Sequence, residues 1–376
     1  MIDVRPVTDR RSTRRFIDVP YRKYRGHPHW VPPARLTEAP MFDRRRNPFF
    51  GYADMDLFLA YEGDRIVGRV AAIDDHRHNE VHQDNLAAFG FFEADREEVA
   101  AALLAAVERW AVARGRTAVR GPLNPSLNHS GGLQIDAFDT DPYLMMPCNP
   151  PEYAGWIEAA GYRKVKDLWC WLVQIAAAPE QKVARIAAHV QRRHGITVRS
   201  MNLRRIRSET DKLYEIYCSA WQSNWGFVAP TREEFGDIVK DLRWVGMTDG
   251  LLIAEIDGRP VGCTTIVPDV NQVLKGTNGR VFPALWWRML NMRRTVTRAR
   301  AIITGVIREH QNSGVVAVLM YHFLRVSARY GLKEAEFSWI LEDNAAANDP
   351  LERYGAKMYK TYRLYQKPLA EKDSRL

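Results

Sequence analysis

A mixed α/β fold, built twice over along one chain, is what this sequence predicts, and three observations predict it. The chain coincides with itself at an offset of 194 residues, from Ile2 to Ile196. Each copy alternates strand-like and helix-like segments around a central hairpin, the pattern of a mixed, mostly antiparallel sheet with helices on both faces. Its 376 residues, at about 150 per domain, leave room for two such domains with insertions.

Several segments coincide at the one offset, as internal repeats do. Ile2-Asp3-Val4-Arg5 falls on Ile196-Thr197-Val198-Arg199, Leu57-Phe58-Leu59-Ala60 on Leu251-Leu252-Ile253-Ala254, and Glu158-Ala159-Ala160-Gly161 on Glu352-Arg353-Tyr354-Gly355. Midway the offset grows to 216, Gly115 matching Gly331, before it returns to 194, so each copy carries a compensating insertion of about 22 residues. The second copy's lies between Val267 and Ala299, the first copy's between Gly121 and Asn149. The expected division is 1–178, a linking helix 179–195 with Val183, Ile186, Ala187 and Val190 on one face, and 196–376.

Within each copy a first strand, at Val4 or Val198, leads to helical segments, of which Ser208 to Trp221 is the clearest. A strand pair follows, reversed by Glu62-Gly63-Asp64-Arg65 or Asp257-Gly258-Arg259-Pro260, whose Gly and Asp suit tight turns. Next come a strand (Leu86 to Phe92, or Ala301 to Ile307) and an amphipathic helix (Val99 to Arg114, or Val315 to Tyr330). A further strand (Ala118 to Arg120, or Ala335 to Leu341), a short helix and a last strand (Leu168 to Gln174, or Tyr362 to Gln366) complete the copy.

Composition narrows the function classes. With 46% hydrophobic and 26% charged residues the chain is neither a fibre nor disordered. The charge-free apolar stretch Gly314 to Leu324 is 11 residues, against the ~18 to 20 that cross a bilayer. Met1 to Pro6 lacks the apolar core of a signal peptide, and Cys148, Cys170, Cys218 and Cys263 form no CxxC, so a cytoplasmic chain without disulfides or structural zinc is expected. A net charge of +9 calls for an anionic partner: nucleic acid, a phosphate-rich cofactor or a lipid surface. No nucleic-acid recognition motif accompanies it.

Gln311-Asn312-Ser313-Gly314-Val315-Val316 lies between a strand and a helix, where unsatisfied N–H groups and the positive end of the helix dipole attract phosphate. Beyond the next strand come Asn344-Ala345-Ala346-Ala347 and Pro350-Leu351-Glu352-Arg353-Tyr354-Gly355. Together these resemble the GNAT superfamily of acyl-CoA-dependent N-acyltransferases, whose Q/R-x-x-G-x-G/A loop holds the CoA pyrophosphate and whose N-x-x-A-x-x-L-Y-E-x-x-G-F follows the next strand. Gln311, Gly314, Asn344, Ala347, Glu352 and Gly355 match, whereas Val316 replaces a small residue and Leu351 stands where a tyrosine general acid is common. The resemblance covers nearly all of 196–367 and, through the repeat, the first copy. It implies two tandem GNAT-like domains, with acyl-CoA as co-substrate, an amine as acceptor and no metal.

In the first copy Asp95, Glu98 and Ala100 take the places of Gln311, Gly314 and Val316, and with Glu97 they would repel a pyrophosphate, so no cofactor is expected there. Its polar insert, with Asn124, Ser126 and Asn128, is either a substrate-facing loop or an ordinary turn series. The reaction requires a base for the amine proton. The resemblance places a glutamate near Arg300, so the base must come from elsewhere: Glu342 or Asp343, which could instead cap the next helix, or His310. Tyr354, one helical turn beyond Leu351, is either a substitute acid or a packing residue. The run Asp74 to His82 reads as a solvated loop rather than a metal site.

Residues 268–300 hold seven basic side chains and one acid, with Leu285, Trp286, Met289, Met292 and Val296 at helical spacing. Such a segment is either a basic amphipathic helix on an anionic membrane surface, with Trp286 near the substrate, or a helix packed on the sheet. With it, the resemblance extends to a proteobacterial, ceramide-synthase-like branch, implying a long-chain or lipidic amine acceptor and peripheral contact with the inner face of the cytoplasmic membrane. Acetylation of a small amine or protein, and a non-catalytic lipid- or nucleotide-binding tandem module, are the alternatives.

Overall fold

Residues 1–245, 247, 249–280, 288 and 291–369 are described by the computed structural model. They divide into two units. The first holds residues 1–168, 274–280 and 361–369, and the second holds 169–273 and 291–360.

In the first unit β1 (Ile2–Pro6), β2 (Ala53–Glu62), β3 (Arg65–Asp75) and β4 (Leu86–Ala94) pair antiparallel in that order, and β5 (Ala118–Gly121) joins β4 in parallel. Beyond β5 lie β6 (Leu133–Gln134) and residues 361–368 of β15 (Lys357–Pro368), where Tyr365 pairs with Gly121 and Tyr362 with Gln134. Helix Glu97–Ala113 buries Val99, Leu103, Leu104 and Val107 against Val70, Ala72 and Phe89 of the sheet. Helix Arg10–Lys23 starts at a capping box between Asp9 and Ser12.

The second unit has two sheets. β8 (Ile196–Ser200), β9 (Leu251–Ile256), β10 (Arg259–Thr265) and β13 (Thr304–Val306) are antiparallel in the order β13-β10-β9-β8. β11 (Val267–Pro268), β12 (Arg298–Ala301), β14 (Glu334–Leu341) and residues 169–174 of β7 (Arg163–Gln174) form the other, with β12 and β14 parallel. Helix Val315–Arg329 packs on β8, β9 and β10, and on helix Glu180–His194, whose Val183 and Ala187 are fully buried. Helix Ile206–Trp221 covers β10 and β13.

The continuous strand expected over Ala301 to Ile307 is instead two. Thr265 breaks it: its Oγ1 accepts from Ile302 N at 3.1 Å and Ile303 N at 3.0 Å, while Thr265 N donates to Ile303 O at 2.9 Å. With those amides satisfied off the ladder, β12 stays beside β14 and β13 turns to β10.

Candidate active site

The divergence of β13 from β14 opens a cleft of about 250 Å³. Thr304, Gly305 and Val306 form one wall, and Phe337 to Leu341 the other. Trp221 and Asn224, from the end of helix Ile206–Trp221 and just beyond it, close one part of it; Gln311, Val316 and Met320 close another.

Gly314 is the N-cap of helix Val315–Arg329 with φ 80°, and a Cβ there would meet both methyls of Val190 at 3.0 Å. Buried Val315, Val318 and Leu319 root the first turn of the helix in the core, so its free N–H groups are held in place. Ser313 Oγ donates to His310 O at 2.6 Å, tightening the loop. Gln311 and Val316 line the cleft, whereas His310, Asn312, Ser313, Gly314 and Val315 do not.

Asn344 also lines the cleft and caps helix Ala345–Arg353, its side chain accepting from Ala347 N at 3.3 Å. The cap therefore belongs to Asn344 and not to Glu342 or Asp343, and neither of those carboxylates is on the cleft wall. Leu351 is on that wall; Tyr354 packs half-buried beside the core, where burial pushes its hydroxyl pKa up. Asn348 bonds Leu341 O at 3.0 Å and receives Trp171 Nε1 at 2.9 Å, fixing the helix to the end of β14.

Polar groups that the sequence reading missed lie on β12 and β14. Arg300 sits opposite Glu336 in the parallel register. Its Nε donates to Ser338 Oγ at 2.8 Å and its Nη2 to Ser338 O at 3.0 Å; Ser338 Oγ donates to Glu336 Oε1 at 2.5 Å, and Tyr359 OH donates to Glu336 Oε2. Nearby, Asp269 is fully buried and pairs with Arg298 at 2.6 Å; burial pushes its carboxyl up to about 6 against the pull of Arg298. The available signal was the period-two spacing of Glu334, Glu336 and Ser338 against Arg298 and Arg300.

In the first unit the equivalent opening is filled. A Cβ on Gly90 would lie 1.6 Å from Leu123 O, Asn124 Oδ1 accepts from Phe91 N at 2.6 Å, and Asn124 N donates to Ser130 O at 2.7 Å. Ser126 Oγ meets His129 Nδ1 at 2.9 Å and accepts from the backbone N–H of Asn128 at 3.2 Å, so the Ser126 side chain bonds within its own turn. Around Asp74 to His82, Arg116 binds Asp74 at 2.9 Å and His78 meets Asp84 at 3.2 Å; no group of three His, Cys, Asp or Glu among the described residues is placed to hold a metal ion.

Trp286, with Leu285 and Met289, lies outside the described residues. Of the basic residues in 268–300, Arg298, Arg300 and Lys275 are tied to Asp269, Ser338 and Asp141, which leaves less outward charge than the sequence count suggests. Arg280 and Arg294 are exposed. Among the described residues no helix is long and apolar enough to cross a membrane.

No protein-family model matches the chain. It is 35% identical over 376 residues to protein YghO of Escherichia coli (strain K12), covering 97% of this chain and 95% of that protein. It is 33% identical over 378 residues to bacterial ceramide synthase of Caulobacter vibrioides (strain NA1000 / CB15N), covering 98% of each. Among solved structures it is similar to a tandem GNAT protein from the clavulanic acid biosynthesis pathway (TM-score 0.59, 13% identity, 99% of this chain and 100% of that one). A GCN5-related N-acetyltransferase from Sphaerobacter thermophilus is also similar (TM-score 0.53, 15% identity, 98% and 96% covered). At such identities these two structures speak for the fold alone. The full-length similarities place this chain in the family of YghO and bacterial ceramide synthase, with the doubled fold of a tandem GNAT protein.

Proposed function

We propose that the chain is an acyl-CoA-dependent N-acyltransferase whose acceptor is a long-chain or lipidic amine. The observation that carries the reading is the cleft between β13 and β14, bordered by Gln311 and the N-terminal turn of helix Val315–Arg329. That helix end offers N–H donors and a positive dipole end to the CoA pyrophosphate, and the strand divergence offers the thioester a slot between two backbones. Residues 196–376 carry the site, and 1–178 is a copy that has lost it. Ile302, Val316, Met320, Phe337, Trp339 and Leu351 give the cleft apolar surface suited to an acyl chain. The relative named bacterial ceramide synthase supports a lipidic acceptor. Exposed Arg280 and Arg294 supply attraction to an anionic leaflet, so the enzyme works peripherally at the inner face of the cytoplasmic membrane.

The test is a thioester-turnover screen across acyl-CoA chain lengths, each with a sphingoid-type amine and with short soluble amines. Fastest turnover with a long-chain partner is expected. Transfer confined to acetyl-CoA and short amines would replace this reading with plain N-acetylation.

A further inference from the structure

We infer that Ser338 and Glu336 form the relay that takes the proton from the acceptor amine. The inference rests on the acyltransferase reading and supplies the base that Glu342, Asp343 and His310, all off the cleft wall, do not.

Ser338 lies on the stretch of β14 that forms the wall of the cleft. A serine hydroxyl has one proton and two lone pairs. The proton is directed to Glu336 Oε1 at 2.5 Å, and Arg300 Nε occupies one lone pair at 2.8 Å. The second lone pair is left for a donor in the cleft. Arg300 Nη2 also holds Ser338 O at 3.0 Å, so the residue is clamped at both backbone and side chain. Behind it Glu336 is 1% exposed, and Tyr359 OH binds its other oxygen. Glu336 therefore reaches the cleft through Ser338.

The step balances as follows. The acceptor ammonium gives one proton to Ser338 Oγ while the hydroxyl's own proton passes to Glu336. The freed nitrogen lone pair forms a C–N bond at the thioester carbonyl. The C–S bond then breaks, and the CoA sulfur leaves with a second proton from nitrogen. Glu336 releases its proton to solvent, so acyl-CoA and ammonium yield amide, free CoA and one proton. Glu336 acts through Ser338 and touches no substrate; Arg300 and Tyr359 are positioning residues.

The experiment measures transfer by the full-length protein and by its Glu336→Gln and Ser338→Ala variants, each checked by circular dichroism and by acyl-CoA binding. Two acceptors are compared: a strongly basic alkylamine and an alkoxyamine of similar length that is already neutral at the assay pH. Glu336→Gln should lower kcat for the alkylamine by about 10²-fold or more, the scale of general-base loss, with the KM for acyl-CoA unchanged. The loss should shrink to roughly tenfold or less for the alkoxyamine, which has no proton to surrender before attack. Ser338→Ala should follow the same pattern, which keeps the test decisive if either variant folds poorly. Folded variants that retain turnover, or that lose it equally with both acceptors, would overturn the relay while leaving the acyltransferase reading standing. A wild-type protein that acylates neither amine would remove that reading, and the relay with it.

Discussion

Gly314 meets two demands at once. Its φ of 80° lies in the left-handed region, costing an L-residue about 1 to 2 kcal/mol, and its α-carbon faces Val190 too closely for a methyl group to fit without displacement. Gly314→Ala should therefore lower stability by about 1 to 2 kcal/mol in denaturant titration. Gly314→Glu should in addition abolish acyl-CoA binding by placing a carboxylate at the helix start, whereas Glu98→Gln in the first copy should leave binding intact. A second residue-scale effect concerns pH. Glu209 is buried, yet hydrogen bonds from Arg199 and Lys212 and from Asn202 N outweigh that burial and hold its pKa at about 2, below the usual 4.5. A depressed carboxyl contributes stability that is complete above pH 4.5 and lost as pH falls through about 2. Chemical-denaturation midpoints of Glu209→Gln should accordingly be lower than wild type at neutral pH and converge with it at the acid end. A constant gap would show that the pair does not act through its charge.

At the scale of elements, the cleft depends on one interruption. Thr265 accepts from two amides at Ile302 and Ile303, and only because those amides are satisfied can β12 and β13 part company. Thr265→Val keeps the shape and removes the acceptor, leaving two inward N–H groups without it. The expected cost is about 1 to 3 kcal/mol, with weaker acyl-CoA binding because the strands no longer hold their divergence. Thr265→Ser, which keeps the hydroxyl, should retain most of both. In the first unit the insert does the opposite job: Leu123 and Asn124 occupy the space beside Gly90 that a ligand would need. Emptying it by Asn124→Ala should cost stability through the unpaired Phe91 N–H and create no acyl-CoA site, since Asp95, Glu97 and Glu98 remain at the helix start.

For the whole molecule these asymmetries predict one acyl-CoA bound per chain, and calorimetry finding two equivalent sites would contradict the degenerate first copy. Surface charge acts at this scale too. Reversing Arg280 and Arg294 to Glu should weaken binding to anionic vesicles at low salt, each removed positive charge being worth about 1 kcal/mol near the surface, without altering turnover of a short soluble amine. Vesicle binding unchanged by the reversals would move the membrane contact elsewhere. The amino-acid sequence by itself determined the doubled architecture, because each copy spells out local periodicities: apolar spacing for helix Val315–Arg329, Gly and Asp at the hairpin turns, a glycine before a helix at Gly314. It also placed Gln311, Val316 and Asn344, which do line the cleft, since short-range motifs dictate where a loop meets a helix. Only the tertiary structure decided the rest. The break between β12 and β13 is made by a hydroxyl 37 residues away, and Arg300 meets Ser338 38 residues on. The alternation of Glu336 and Ser338 looks like an ordinary exposed strand face until β12 lies beside it. Glu342 and Asp343 read well in sequence because they follow the right strand, yet they stand off the cleft wall, and Asn344 caps the next helix. Proximity along the chain fixes turns and caps; which buried polar groups share a proton depends on strand register, and register is settled by packing across the sheet.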